Sequence, residues 1–375
     1  MKSKNQNKKQ KKRILIVYQN LEIGGVEKNI VSFLRVFDGK KLEIRLVLME
    51  KKGRLIKQVP KRVMIYDLGL KSKLSWIRQI KGLKQIVEQW KPDAVMTIFD
   101  RMTGLAVILR NLYKVKFRLV AVFPNYYSLR FKFIKFGLIR KFLALWFYKQ
   151  ADSIIVRSQA CRIDLVKNLG FDDALVKVVR NSSGFRKNQM SQTMGKIGKL
   201  FKFVYIGRLT KVKRIKFLLM ATKQLLNTDL IKFEVLIVGR GSERSRLEKL
   251  AKKLKINKTV KFVGAQEDLK MIYSQAGVLV LPSWIEGCPL VVLEAKHYGL
   301  PAIISSFLGA EEIVNHGKDG LIFKLDDINQ LVVYMKKLLL NQSFRNKLGL
   351  KAKASEVKYS LDNFVDQQTQ ILLND

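Results

Sequence analysis

A chain of 375 residues is long for a single hydrophobic core, so two domains are expected; 48% hydrophobic residues and only 6 prolines argue against extended disorder. The net charge is +42, and residues 1–185 hold 40 Lys+Arg against 13 Asp+Glu, so the N-terminal half should face something anionic, whether membrane surface, nucleic acid or acidic polymer. Two cysteines, Cys161 and Cys288, make neither a disulfide framework nor a metal set and fit a reducing cytosol, and no apolar run of about 18 residues offers a spanning helix.

Residues 1–13 read as a disordered basic arm, with Lys2, Lys4, Lys8, Lys9, Lys11, Lys12 and Arg13; the apolar run behind it, Ile14–Tyr18, is too short for a signal-peptide core. That run predicts a first strand. Further β-branched runs follow at Ile44–Leu48, Val63–Leu68, Ala94–Ile98, Leu119–Phe123, Ile154–Val156 and Val176–Val179, with helical patterns between them such as Glu27–Phe37 and Trp76–Trp90. The alternation implies βαβ units and a parallel sheet buried on both faces. After the first strand comes Gly24–Gly25, just before a helix. Such a turn lets backbone N–H groups approach an anion, or is simply a tight turn.

Residues 129–150 interleave cations with Phe, Ile, Leu and Trp, inside a stretch (101–151) that has 11 Lys+Arg and no acidic residue. Ile134, Leu138, Phe142, Leu145 and Trp146 fit one helical face. The segment suits an anionic membrane interface or, alternatively, a core helix.

Residues 186–199 are polar and aperiodic, so they read as a linker between an N-terminal domain (14–185) and a second α/β domain (200–358). Strands are expected at Phe203–Ile206, Val235–Val238, Val260–Val263, Val278–Leu281 and Ala302–Ile304. The fold class is therefore α/β, with two Rossmann-like doubly wound domains facing across a cleft at their strand carboxyl ends. The first strand of the second domain runs into Gly207, Arg208, Leu209, Thr210, Lys211, Val212 and Lys213. Two cations five apart in a loop can neutralise a diphosphate, or be a solvated basic loop. Val238-Gly239-Arg240-Gly241 follows the next strand as a second close-approach turn. Neither a GxGxxG nor a Walker A sequence is present, which disfavours ATP hydrolysis.

The most informative segment is Pro282-Ser-Trp-Ile-Glu286-Gly287-Cys288-Pro289-Leu290-Val-Val-Leu-Glu294-Ala295. Glu286 falls in a loop, Gly287–Leu290 should open a helix, and Glu294 lies about two turns on. Carboxylates there can accept from sugar hydroxyls, and helix N–H groups can hold an oxyanion. The other reading is a helix-dipole Glu followed by an exposed one.

Glu286 and Glu294 form an E-x7-E that resembles the signature of family 4 of the retaining glycosyltransferases, of GT-B fold. Gly24-Gly25-Val26-Glu27, GRLTKVK at 207–213, VGRGSERSRLE at 238–248 and GAEEIVNHGKDGLIF at 309–323 stand in the matching order, so the resemblance covers most of the chain. It is closest to transferases that build bacterial surface polysaccharides or lipid-linked oligosaccharides. The resemblance implies that Arg208 and Lys213 hold a donor diphosphate and Glu294 the ribose hydroxyls. Glu286 would contact the transferred sugar, aided by backbone N–H groups from Gly287 to Leu290, so that Gly287, Cys288, Pro289 and Leu290 join Gly25, Gly207 and Gly239 at the donor site. Gly24 and Asn125 fall on the acceptor side. Residues 359–375 would cross back to the first domain. No metal or other cofactor is implied, the nucleotide-sugar being a co-substrate. The expected partners are a nucleotide-sugar, UDP-linked by resemblance, a glycan or lipid-linked acceptor, and the inner face of the cell membrane, without specific nucleic acid. A basic nucleic-acid-binding protein or DNA-base glucosyltransferase is the alternative. The chain departs from the family in having only His297 and His316, in placing Arg214 where a glycine often follows the Lys213 position, and in having Arg180-Asn181-Ser182-Ser183-Gly184 in place of a Pro-Asn-Gly turn.

Overall fold

Aliphatic runs too continuous for one-sided strands form two wholly parallel sheets in the computed structural model. It describes residues 11–69, 75–124, 126, 128, 137–189, 200–227 and 232–373. The chain divides into two units. The first runs to Arg157, takes in Arg162–Val179 and resumes at Phe364; the second comprises Ser158–Cys161 and Arg180–Asn363.

The sheet of the first unit contains β1 (Lys12–Tyr18), β2 (Leu42–Leu48), β3 (Met64–Asp67), β4 (Ala94–Ile98), β5 (Arg118–Phe123), β6 (Ser153–Val156) and β7 (Val176–Val178), in the order β3-β2-β1-β4-β5-β6-β7. Every residue of β4 and β6 is buried, as a central strand between two helix layers requires. Lys12 and Arg13 pair with β2, so the strand begins inside the stretch expected to be an arm; Lys12 and Arg13 are only partly buried at the edge of the core. The rest of the arm, through residue 10, lies outside the described residues.

The longer helices of this unit are α1 (Gly25–Val36), α2 (Ser75–Trp90), α3 (Asp100–Tyr113) and α4 (Gly137–Tyr148). Right-handed crossovers place α2, α3 and α4 on one sheet face, where α3 packs against both neighbours. Residues 129–136 of the expected amphipathic segment lie outside the described residues. On α4 itself Leu145 is half-buried, so the outward stripe is not the expected one. It contains Leu138, Ile139, Phe142, Leu143 and Trp146. From Phe364 the last helix also belongs to this unit: the Phe364 ring meets Phe33 edge-on at 6.3 Å, and Arg118 donates to the Ile371 carbonyl.

The second unit has β8 (Phe201–Ile206), β9 (Phe233–Val238), β10 (Val260–Gly264), β11 (Val278–Leu281), β12 (Ala302–Ser305) and β13 (Gly320–Phe323), ordered β10-β9-β8-β11-β12-β13. The strand not anticipated is β13. It has four residues, Gly320–Phe323, and follows a Lys318-Asp319 turn. Of the expected linker, 190–199 lie outside the described residues. The helices are α5 (Ile215–Leu226), α6 (Arg244–Lys253), α7 (Lys270–Gln275), α8 (Leu290–His297), α9 (Ile328–Leu340), α10 (Gln342–Glu356) and α11 (Leu361–Leu373). No helix among the described residues is long and apolar enough to cross a membrane.

Both histidines serve the framework. The His297 ring stacks on Phe185 at 3.5 Å with 3° between planes, and His316 Nδ1 accepts from the Ile322 N–H at 2.9 Å. Next to His297, Lys296 donates to Asp319 at 2.7 Å and to Ser355 Oγ at 2.8 Å, with both charged side chains only 3% exposed. Burial pulls the Lys296 ammonium below the usual lysine range, and Asp319 pulls it back. The pair ties α8 to the turn before β13. Lys296→Met leaves Asp319 charged and buried, and should lower stability by about 3–5 kcal/mol. Urea unfolding at pH 7 reads this directly; an unshifted midpoint would show that the pair is dispensable.

Candidate active site

The order of the second sheet reverses between β8 and β11. Open α/β sheets bind ligands in the crevice beyond the carboxyl ends of such a pair of strands. Here the loop after β8 carries Arg208 and Lys213, and the loop after β11 carries Glu286. Register pairs Val278 with Phe203 and Leu279 with Val204, so the two loops leave the sheet side by side. Two contacts join them: Trp284 N–H donates to the Val212 carbonyl at 2.9 Å, and Lys213 Nζ meets Glu286 Oε1 at 2.6 Å. The Lys213 and Glu286 side chains are 17% and 9% exposed, which strengthens their attraction over that of a surface pair.

Arg208 is exposed and, among the described residues, has no carboxylate partner. Its carbonyl accepts from the Tyr205 hydroxyl at 3.0 Å. That phenol is fully buried. Burial pushes it far above the usual tyrosine range, the nearby Glu286 carboxylate adds to this, and Arg208 opposes it. Tyr205 therefore stays a neutral donor between the two charges and fixes where the loop begins. It was not among the residues singled out from sequence, because an aromatic in a buried strand reads as core.

Glu294 projects from α8 and is buried, not exposed. Its Oε2 accepts from the Tyr273 hydroxyl at 2.7 Å. Tyr273 on α7 is held neutral mainly by burial and then by the Glu294 charge, and its ring stacks on Tyr298 at 5.3 Å. A carboxylate inside an apolar helix is thus aimed by a phenol 21 residues away, a link that spacing could not show.

The segment Gly287–Leu290 differs from expectation. Helix α8 begins at Leu290, with Pro289 extended at its N-cap (φ −69°, ψ 113°), and Gly287 and Cys288 form a bend. The cause is local: a proline disfavours helical geometry in the residue before it, here Cys288. Pro289 also has no N–H to offer an oxyanion. The bend is braced by Asn181, whose side-chain amide donates to the Cys288 carbonyl at 2.6 Å. This gives a job to the unusual Arg180–Gly184 turn.

Gly207 and Gly239 are where three strand exits crowd together. Gly207 N–H donates to Val238 O at 2.9 Å, Leu209 N–H to Arg240 O at 2.8 Å, and Gly239 N–H to Gly264 O at 2.8 Å. A Cβ on Gly239 would lie 1.9 Å from the Gly207 carbonyl oxygen. Arg214 has φ +52°, in the left-handed region that glycine favours. Its guanidinium offsets that strain by stacking on Phe217 at 3.9 Å and pairing with Asp326. In the first unit, Gly24 caps α1 and Gly25 starts it, at the carboxyl end of β1. The Glu27 side chain folds back so that a Cβ on Gly24 would lie 2.3 Å from its Oε2, and Glu27 Oε1 accepts from Tyr18 at 2.7 Å. An acidic group already at this helix start repels a phosphate and suits a hydroxyl. Asn125 lies outside the described residues.

The profile of the family described as "Glycosyltransferase Family 4" matches residues 23–182, and that described as "Glycosyl transferases group 1" matches 187–355. The chain is 26% identical over 286 residues to the amylovoran biosynthesis glycosyltransferase AmsD of Erwinia amylovora, covering 75% of this chain and 78% of the relative. It is 23% identical over 357 residues to the UDP-Gal:alpha-D-GlcNAc-diphosphoundecaprenol alpha-1,3-galactosyltransferase of Escherichia coli, covering 87% and 89%. Among solved structures, Anabaena HepE in complex with UDP-glucose superposes with a TM-score of 0.82 at 18% identity, covering 96% of this chain and 99% of that one.

Two glycines with positive φ differ in what surrounds them. Gly317 has φ +74° with nothing within 4 Å of where a Cβ would stand, so Gly317→Ala should cost only the conformational strain, about 1–2 kcal/mol. Gly239→Ala carries strain and a backbone collision, and should cost at least about twice as much. Urea midpoints of the two variants test this; equal losses would mean the strand exits do not need their close approach.

Proposed function

Because this chain belongs to glycosyltransferase family 4 and is a glycosyltransferase of glycan biosynthesis, we propose that it moves a hexose or N-acetylhexosamine from a UDP-sugar to a lipid-linked glycan with retention of anomeric configuration. The observation that carries this reading is the Lys213–Glu286 pair beside Arg208, which is exposed and has no carboxylate partner among the described residues, at the β8–β11 switch. A diphosphate needs cations that are fixed before it arrives. Glu286 supplies that fixation for Lys213, and Tyr205 positions the backbone of Arg208. The HepE complex supports UDP as the nucleotide, and the diphosphoundecaprenol acceptor in the name of the Escherichia coli relative supports a lipid-linked acceptor.

In the proposed reaction the bond from the anomeric carbon to the diphosphate oxygen breaks, and the acceptor oxygen bonds to that carbon on the same face. The acceptor proton passes to a phosphate oxygen of the departing UDP, so no side-chain base is assigned. Negative charge grows on the diphosphate as the bond breaks, and Arg208 and Lys213 stabilise it. The N–H groups of Gly287 and Leu290 add donors at the bend. Glu294, aimed by Tyr273, receives the ribose hydroxyls, and Glu286 contacts the transferred sugar. The proposal assigns the stabilisation of that charge to Arg208, Lys213 and the backbone donors, without a metal.

Two measurements test this. In a thermal-shift panel of UDP-, GDP- and ADP-sugars, the UDP-sugar should raise the melting temperature most; at 100-fold excess over Kd the gain is about 2.7 kcal/mol. Stabilisation by a GDP- or ADP-sugar alone would overturn the nucleotide assignment. In a transfer assay run with EDTA, the wild type should keep its rate, while Arg208→Ala and Lys213→Ala should each lower kcat about 100-fold or more. Unchanged rates in both variants would remove them from the site, and loss of wild-type activity in EDTA would show a metal requirement.

A further inference from the structure

Helix α4 has two apolar faces, and among the described residues only one of them is covered. Ala144 and Tyr148 are buried, the Tyr148 ring lies 4.3 Å from Phe123 of β5, and Phe147 packs where Gly104 of α3 leaves room. On the other side Leu138, Ile139, Phe142, Leu143 and Trp146 are between 49% and 84% exposed. Their spacing is i, i+1, i+4, i+5 and i+8, one continuous helical stripe. Single exposed apolar residues need no explanation, but a stripe of five, with two aromatics, marks an interaction surface.

Charge selects the occupant. The surrounding sequence, 101–151, holds 11 Lys+Arg and no Asp or Glu, and Lys141 and Lys149 stand on and beside the helix. A second copy would bring another +42 chain against the same face and be repelled within a Debye length. Anionic lipid headgroups are attracted by that charge, and the acyl boundary accepts the stripe. The helix has 12 residues, about 18 Å, too short to span a hydrocarbon core and suited to lying in its surface. We propose that the outer stripe of α4 docks the N-terminal unit on an anionic bilayer.

Direction follows from topology. The C-terminal end of α4, Tyr148, leads within a few residues to Ser153, the amino end of β6. Leu138 and Ile139, at its N-terminal end, therefore lie toward the carboxyl edge of the sheet, the edge that bears Gly24 and Gly25. Trp76 and Ile77, also exposed, occupy the first turn of α2 at that same edge and on the same sheet face. Docking would bring this edge to the headgroups, where a lipid-linked acceptor presents its sugar. The inference deepens the acceptor reading above, but its test needs no transfer reaction.

The experiment is cosedimentation of the full chain with phosphatidylglycerol/phosphatidylcholine vesicles and with pure phosphatidylcholine vesicles, at low and high salt. Wild type should bind the anionic vesicles, and binding should weaken with salt. Phe142→Ser/Trp146→Ser should reduce the partition coefficient about ten-fold or more, and Leu138→Ser/Ile139→Ser should reduce it as well. Leu350→Ser, at an exposed residue of the second unit, should not change it. The α4 variants should keep the wild-type thermal shift with the UDP-sugar, which separates failure of docking from failure of the donor reading. Undiminished vesicle binding by both α4 variants would overturn the proposal, as would equal wild-type binding to neutral vesicles. So would a wild-type dimer, seen by sedimentation velocity, that the α4 variants convert to monomer while vesicle binding persists.

Discussion

The contact between Lys213 and Glu286 depends on two strands being neighbours although 73 positions separate the charges. Strand β8 starts the second sheet, and β11 enters on its other side after β9 and β10 have been laid down. Only this reversal sets the two exit loops side by side with no helix between them. Each charge alone would stand in a half-buried loop at a cost in desolvation; together they reduce it and hold each other in place. Arg208 is left as the outward cation, beside a site whose carboxylate and ammonium are already oriented.

Around that pair the backbone is packed more tightly than side chains allow. Gly207 and Gly239 let the exits of β8, β9 and β10 hydrogen-bond to one another directly, which aligns loops that strand pairing by itself would leave loose. Arg214 shows the other solution to a left-handed turn: a side chain takes the strained conformation, and stacking on Phe217 with an ion pair to Asp326 compensates. Tyr205 and Tyr273 complete the support. Both are buried phenols kept neutral by burial and a neighbouring carboxylate, so each donates a hydrogen bond without adding charge to the site.

The large positive charge is a feature of a different part of the molecule. It is concentrated in the N-terminal half and coincides, around α4, with an apolar stripe that the core does not use. Charge alone attracts any polyanion, and an apolar stripe alone fits many partners. Their coincidence on one short helix is what the proposed docking on an anionic bilayer rests on. At the start of α1 the Glu27 carboxylate folds back over Gly24, so this helix start already carries a negative charge.

The amino-acid sequence by itself determined the two parallel sheets, because short apolar, β-branched runs alternate with helical patterns and each of the twelve runs became a strand. It also singled out Arg208, Lys213, Glu286 and Glu294 as candidates, since charges at strand ends and inside an apolar helix stand out against the local pattern. It did not show β13, nor the late start of α8, which the Cys288–Pro289 pair imposes. Which charges touch, that Tyr205 and Tyr273 hold the loops and Glu294, that Asn181 braces the bend, and which stripe of α4 faces outward were decided by tertiary structure alone. Those contacts run between segments far apart in the chain, and strand order, not residue spacing, sets their distances.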